Sequence, residues 1–475
     1  MKRLIALLLV VLIVAGLYAT NVSAQYATTA HWVSSITYYT PSTEGGTLSV
    51  NYFDGATAYT AGPFTLVGKS AGSINIGTTS VPEGFKGSAV LSSTIPVYST
   101  YVQFEKDNPR GFSRSFYSGF SAEQAGTKFF LPTVRSNNIT TSTIGIQNVE
   151  SYTITATINL IPITGTPVVT NVDIAPGASF VSVLDAISGI VKPFDGAAVI
   201  TAVKQGEPST SARVVASSQE TQDSGLGVYS YEGQKEGAVN VYMASAMCNY
   251  VGKQTSYFAI QNVGSASATV EIDYYSAGAL EGTTSSQTIA AGGKISVNPC
   301  QANLLMGKTG SAVIRSTNGQ PLLAIGKVAT TDGLITAFTG ESVGYTQVVA
   351  PYIRWAADNT LDYRSYVAIM NVGSASATNI VANYYDGTGT LRGSQQVASA
   401  SAPLKPFSKA NTTPLAAGAL IGDSFGFRAD AGVNGGAIEI VSDQPIVVVV
   451  RLATTPTGIP GIAIFGEDYN ALPVR

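Results

Sequence analysis

The residue types that chemistry would need are scarce in this chain. It has one histidine, His31, and two cysteines, Cys248 and Cys300. It has no Gly-x-Ser-x-Gly elbow, no His-Glu-x-x-His pair and no phosphate loop. A serine or cysteine nucleophile needs a base beside it. His31 stands beside Trp32 near the start of the chain, where order is least expected, and reads as structural or exposed. Cys248 and Cys300 read as a disulfide. In an oxidising compartment, closing that loop of about fifty residues stabilises by roughly 4 kcal/mol. Paired carboxylates can hydrolyse glycosides, but Glu123, Glu341 and Glu467 stand in equivalent-looking connectors far apart. They read as partners of Arg135, Arg354 and Arg475. Asp54-Gly55 and Asp386-Gly387 read as turns rather than Ca²⁺ ligands. Asn138-Ile-Thr140 and Asn411-Thr-Thr413 fit the N-glycosylation acceptor pattern. The expectation is no catalytic residue, no cofactor, no metal and no enzyme.

The composition sharpens that reading. The 475 residues carry 26 Lys+Arg against 29 Asp+Glu, and only 12% are charged, about half the usual ~25%. Without a basic patch the chain lacks the footprint of a nucleic-acid binder. An apolar fraction of 45% is too high for a disordered chain. Met1-Lys2-Arg3, an apolar run over 4–17 and Val22-Ser23-Ala24 form the pattern of a secretory signal cut after Ala24. The apolar run is shorter than the ~20 residues of a spanning helix. The expected product is secreted, extracellular or at the cell surface, with no membrane association after cleavage.

The elements around these residues recur. Ile146-Gln-Asn148-Val returns as Ile260-Gln-Asn262-Val and Ile369-Met-Asn371-Val, at a period of about 110 residues. Tyr274-Tyr275 and Tyr384-Tyr385-Asp386-Gly387 follow, and Tyr52-Phe53-Asp54-Gly55 marks an earlier, diverged copy with Tyr39 near the Asn position. A third signature closes each copy: Gly87-Ser-Ala-Val, Gly196-Ala-Ala-Val, Gly310-Ser-Ala-Val and Gly436-Ala-Ile. Alternation such as Ala268–Tyr274 predicts half-buried strands, and Pro445–Arg451 a short, doubly buried one. About seven short strands per copy predict an all-β chain of four tandem immunoglobulin-like β-sandwich modules.

The ordered motifs Leu-Pro-x-Val, Asn-x-Gly-x-Ala, Tyr-Tyr-Asp-x-x-Gly, Ala-Pro-Gly-x-Ser and Gly-x-Ala-Val resemble the tandem immunoglobulin-like repeats of bacterial and archaeal secreted and surface proteins. The resemblance covers nearly all of the mature chain. It implies display, adhesion or polymer building rather than catalysis.

The expected layout is a signal peptide over 1–24; repeat 1 over 25–110, lacking its opening strand; a connector over 111–127; repeat 2 over 128–222; a connector over 223–238; repeat 3 over 239–333; a connector over 334–345; repeat 4 over 346–465; and a C-terminal strand over 466–475. Leu131-Pro-Thr-Val-Arg135 opens repeat 2, Ala350-Pro-Tyr-Ile-Arg354 opens repeat 4, and Leu472-Pro473-Val474-Arg475 ends the chain with a shorter version. Copy 1 shows no such opening. An unpaired edge at one end and a spare strand at the other predict donor-strand complementation. Ala471, Leu472, Pro473, Val474 and Arg475 would pair beside repeat 1 of the next copy, and a head-to-tail contact of that kind propagates as a filament. The partners expected are copies of this chain; the alternative is a monomeric surface adhesin that binds glycans through divergent loops such as 403–435.

Overall fold

A computed structural model describes residues 21–24, 32–55, 57–105, 114–222, 227–331, 333–357, 361–427, 435–456 and 465–475. Most of the expected signal, 1–20, and His31 lie outside these residues. Among the described residues the chain is nearly all β, arranged in several sheets, with four short single-turn helices. None of its helices is long and apolar enough to cross a membrane.

The strands form where the sequence alternates. In Ile154–Pro162 the inward residues Ile154, Ala156, Ile158 and Leu160 are fully buried, and Ile380–Asp386 buries Ile380, Ala382 and Tyr384 in the same way. Burying each isoleucine or leucine among them contributes about 1.5–3 kcal/mol. Over residues 32–101 one core joins two facing sheets through Ile36, Leu48, Val50, Tyr52, Leu91 and Tyr101. The segment expected as a short strand over Pro445–Arg451 is part of one 21-residue strand, Gly436–Pro456. Its first half pairs with Ile380–Asp386 and Tyr345–Ala350, its second half with Leu361–Asn371. Val448 and Val450 enter one core while Val447 and Val449 enter a neighbouring one, so the run is buried on both faces.

Three sequence signatures have a local physical cause. Asn148, Asn262 and Asn371 are buried, and each Nδ2 donates to two or three backbone carbonyls: Tyr152, Ile174 and Ala175; Ala266 and Ile289; Ala375 and Leu404. Each Oδ1 accepts from the backbone N–H two residues on: Glu150, Gly264, Gly373. The side chain therefore ties a strand end to the turns around it. The buried Tyr52, Tyr274 and Tyr384 fill cores. At Gly87, Gly196 and Gly310 an added Cβ would collide with the carbonyl oxygens of Phe53, Ile161 and Tyr275 on the adjacent strand, which is why the signature begins with glycine.

The strand after that glycine carries the opening strand in one register. Phe130 pairs with Val199, Tyr242 with Val313 and Val349 with Glu439, each partner being the third residue after its glycine. Asn21–Ala24 does the same: Val22 pairs with Val90, the third residue after Gly87. The opening strand expected to be missing from 25–110 is therefore present, in residues assigned to the leader.

The expected connectors contain strands. Arg114–Ser118, Val228–Glu232, Ile335–Thr339 and Phe465–Asn470 each pair with the strand before them: Tyr98–Glu105, Val214–Gln222, Leu322–Thr330 and Gly436–Pro456. We call these the closing strands. The first three fall in segments expected to be connectors, because they are short and buried on both faces, which removes the alternation a sequence reading relies on. They lie against one another in a closed cycle, first to second, second to third, third to fourth and fourth back to first. The chain thus falls into four stretches, 21–121, 128–232, 240–339 and 345–473, around a common axis.

Candidate functional site

The opening-strand slot of the first stretch is bounded by Ser88–Ser93 on one side and Phe120–Ser121 on the other. Asn21–Ala24 fills it, with Asn21 opposite Ser121 and Val22 opposite Phe120. The same second neighbour is met elsewhere: Phe130 by Gln234, Tyr242 by Glu341, Val349 by Leu472. Leu472 is therefore the counterpart of Phe120, Gln234 and Glu341. Its likeness to Leu131 in the string Leu-Pro-x-Val-Arg is a coincidence of letters, which explains why the terminal motif is one residue short.

This corrects the reading of 466–475 as surplus. Phe465–Asn470 is a closing strand, and Leu472 and Pro473 pair with Val349 and Val348 of the same chain. Val474 N–H donates to the Gln347 carbonyl at 3.0 Å. Ala471 and Val474 are partly buried, and Leu472 is buried in a small cluster with Tyr39, Ala71, Val349 and Ala437. Arg475 N–H donates to the Tyr98 hydroxyl at 3.0 Å, and its guanidinium pairs with Glu123.

These contacts make a seam between the fourth and first stretches. Thr40 holds the asparagine position, its Oγ1 accepting from the Ser42 N–H. Tyr39 before it, in register with Gln147, Gln261 and Met370, is fully buried, and its hydroxyl donates to Glu439 Oε2 at 3.1 Å. Burial first, then the Glu439 charge, pushes the Tyr39 phenol far above its ordinary pKa. Lys69 Nζ lies 2.8 Å from the same carboxylate oxygen, and the Gln347 amide donates to the other one. Sequence reasoning missed Tyr39, Lys69 and Glu439. The available signal was an aromatic residue at Tyr39, where the matching strands carry Gln147, Gln261 and Met370.

At the axis, Asn470 joins three stretches. Its Oδ1 accepts from Thr339 N–H at 3.0 Å, its Nδ2 donates to Thr339 O at 2.8 Å and to Glu341 Oε1 at 2.7 Å, and its carbonyl accepts from Ser118 Oγ at 2.8 Å. The Ser115 and Ser230 hydroxyls bond to each other, and Gln219 donates to Gln103 at 2.8 Å. The buried Glu467 and the half-buried Glu232 and Glu341 border the axis. Burial pushes Glu232 and Glu341 up to about 7 and Glu467 up to about 8. Glu467 sits 3.8 Å from Arg114, Arg135 lies beside Asp195 and Glu220, and the Arg354 guanidinium stacks on Tyr363. The expected Glu341–Arg354 and Glu467–Arg475 pairs are replaced by these partners, and Arg475 takes Glu123 instead.

Cys248 and Cys300 form a disulfide with Cα atoms 5.2 Å apart, joining the end of Asn240–Met247 to the single turn Pro299–Ala302. Asn138 and Asn411 are both exposed, in a turn and in the strand Lys409–Thr412. Asp386 accepts from the Thr388 and Thr390 N–H groups and pairs with Arg392, closing its hairpin. Among the described residues no group of His, Cys, Asp or Glu is placed to hold a metal ion.

No family model matches the chain, and no curated protein matches it. Among solved structures, the Thermotoga maritima 1070 protein is 20% identical over 23% of this chain and 95% of its own, with a TM-score of 0.20. A family 11 carbohydrate-binding module from Clostridium thermocellum is 12% identical over 42% and 92%, with a TM-score of 0.12. A tetra-tandem repeat from the extending region of a large adhesion protein is 11% identical over 96% and 99%, with a TM-score of 0.10.

Proposed function

We propose that this chain is a secreted structural protein of four tandem immunoglobulin-like modules that assembles into an extracellular filament by strand donation at the first module. One observation carries the reading: the slot between Ser88–Ser93 and Phe120–Ser121 is filled by Asn21–Ala24, which a signal cut after Ala24 would remove. The mature first module would then expose unpaired backbone along Ser88–Ser93. Such an edge accepts an extended strand from another copy. The donor in this reading is Ala471–Arg475 of the next copy. Its home ladder spans only two residues, short enough to exchange.

The second reading is a monomeric surface adhesin or glycan-binding protein. The seam between the fourth and first stretches favours it, because it leaves the C-terminal strand engaged within one molecule. One measurement separates the two. The exported protein is sequenced from its N-terminus, and its mass in solution is followed with and without a synthetic peptide spanning residues 17–24. The filament reading expects Gln25 as the first residue, polymers, and their inhibition by the peptide. An N-terminus upstream of Asn21, or a monomer beginning at Gln25, overturns it in favour of the second.

A further inference from the structure

Two junctions between stretches can be compared position by position. Lys294 and Lys409 each pair with the residue before a clamp asparagine, Gln261 and Met370. Asp195 and Thr309 each precede a signature glycine. Glu220 lies opposite Tyr229 and Val328 opposite Thr336, equivalent places on the closing strands, and Lys327 and Arg451 lie opposite Ala337 and Asp468.

Between the second and third stretches every cation meets a carboxylate. Lys294 pairs with Asp195 and donates to Thr133 Oγ1 at 3.0 Å. Lys327 Nζ is 2.6 Å from Glu220 Oε1, and Arg135 lies 3.7 Å from Asp195 and 3.8 Å from Glu220. Between the third and fourth stretches the cation positions persist as Lys409 and Arg451, but Thr309 and Val328 stand where Asp195 and Glu220 stood. Arg451 turns to Asp468 on its own stretch, 2.6 Å away. Lys409 Nζ donates to Thr309 Oγ1 at 2.7 Å. Thr309, standing where Asp195 stood, lines a cavity of about 500 Å³ together with Lys409 and Arg451.

The cavity has the makings of a small-molecule site: apolar walls with a few convergent polar groups. Met247, Tyr250, Tyr366 and Val449 give apolar walls, and the cations Lys409, Arg364 and Arg451 stand among its polar groups. Asp362 is the one acid among its described walls, and it lies 3.5 Å from Arg364.

We propose that this cavity binds a small organic acid. Its carboxylate takes the place beside Lys409 that Asp195 holds beside Lys294, and its apolar body lies against Tyr250 and Tyr366. This inference is independent of the filament reading. Burial, and then the Arg451 charge, hold the Lys409 ammonium down to about 7. A carboxylate brought next to it raises that pKa, so binding near pH 8 takes up a proton.

The test is calorimetric titration of the whole chain with benzoate, hexanoate and D-glucuronate, against benzyl alcohol, hexanol and D-glucose, and with inorganic phosphate. At least one acid is expected to bind with one-to-one stoichiometry, at least tenfold more tightly than its neutral counterpart and than phosphate. Lys409→Met is expected to weaken it at least tenfold. Thr309→Asp, which restores the carboxylate in the protein itself, is expected to abolish it while raising the melting temperature. If no acid binds below 10 mM, if phosphate binds as tightly, or if binding survives either substitution, the proposal fails.

Discussion

The junction between the second and third stretches and the seam between the fourth and first are built from opposite materials. The junction is continuous in the chain and holds an ionic cluster in which Lys294, Lys327 and Glu220 are buried and Asp195 and Arg135 reach partly into solvent. The seam joins residues some 400 apart in sequence. Its buried part is mainly apolar, Tyr39, Ala71, Val349, Ala437 and Leu472, and the Glu439 carboxylate there gathers Tyr39, Lys69 and Gln347. Buried ion pairs add little net stability, because desolvation offsets attraction. Apolar burial is net favourable. A boundary already held by the chain can use charges to fix register, whereas one without a link has to supply its own adhesion.

The comparison breaks most visibly at Lys327. Lys327→Met leaves Glu220 buried with only Arg135 and Tyr229 for partners, and is expected to destabilise by about 3–5 kcal/mol in urea unfolding. Adding Glu220→Leu is expected to recover most of that loss. A double variant as unstable as the single one would show that the cluster stabilises in its own right.

The axis carboxyls give a pH signature on the order of 3 kcal/mol per group. Glu232 and Glu341 titrate near 7 when folded and near 4.5 when unfolded. Between those values the folded state holds more protons, so their contribution falls as pH rises from about 4.5 to about 7. Lys327, lowered from 10.5 to about 7, acts oppositely: its contribution grows from about pH 7 to 10.5. Glu232→Gln is therefore expected to match the natural chain at pH 4 and to exceed it in stability at pH 8. Equal differences at both pH values in denaturant melts would refute the assignment.

At the seam, Leu472→Ala is expected to cost about 2–3 kcal/mol. The loss should appear as faster backbone amide exchange along Tyr345–Ala350, with the second-to-third junction unchanged. Uniform acceleration through the molecule would mean that the four stretches unfold as one unit.

Much of the β framework was written where chemistry is local. The asparagine clamp needs one side chain and two turns, and the signature glycine needs one close carbonyl, so both left marks in the sequence. The closing strands Arg114–Ser118, Val228–Glu232 and Ile335–Thr339 left none, because burial on both faces erases the period-two pattern. Asn21–Ala24 was hidden differently: its small residues fit a leader's cleavage site as well as they fit a strand. Leu472 was misassigned because matching letters outweighed topological position. The cavity beside Lys409 was invisible until registers aligned Thr309 with Asp195, a relation between residues more than 100 positions apart.

The seam also sets an order of events during synthesis. Tyr39 and Lys69 leave the ribosome long before Glu439 and Leu472 exist, so earlier stretches fold while that face waits bare. A copy that stops early keeps a sticky flank, and shortened chains should aggregate more readily than full-length ones.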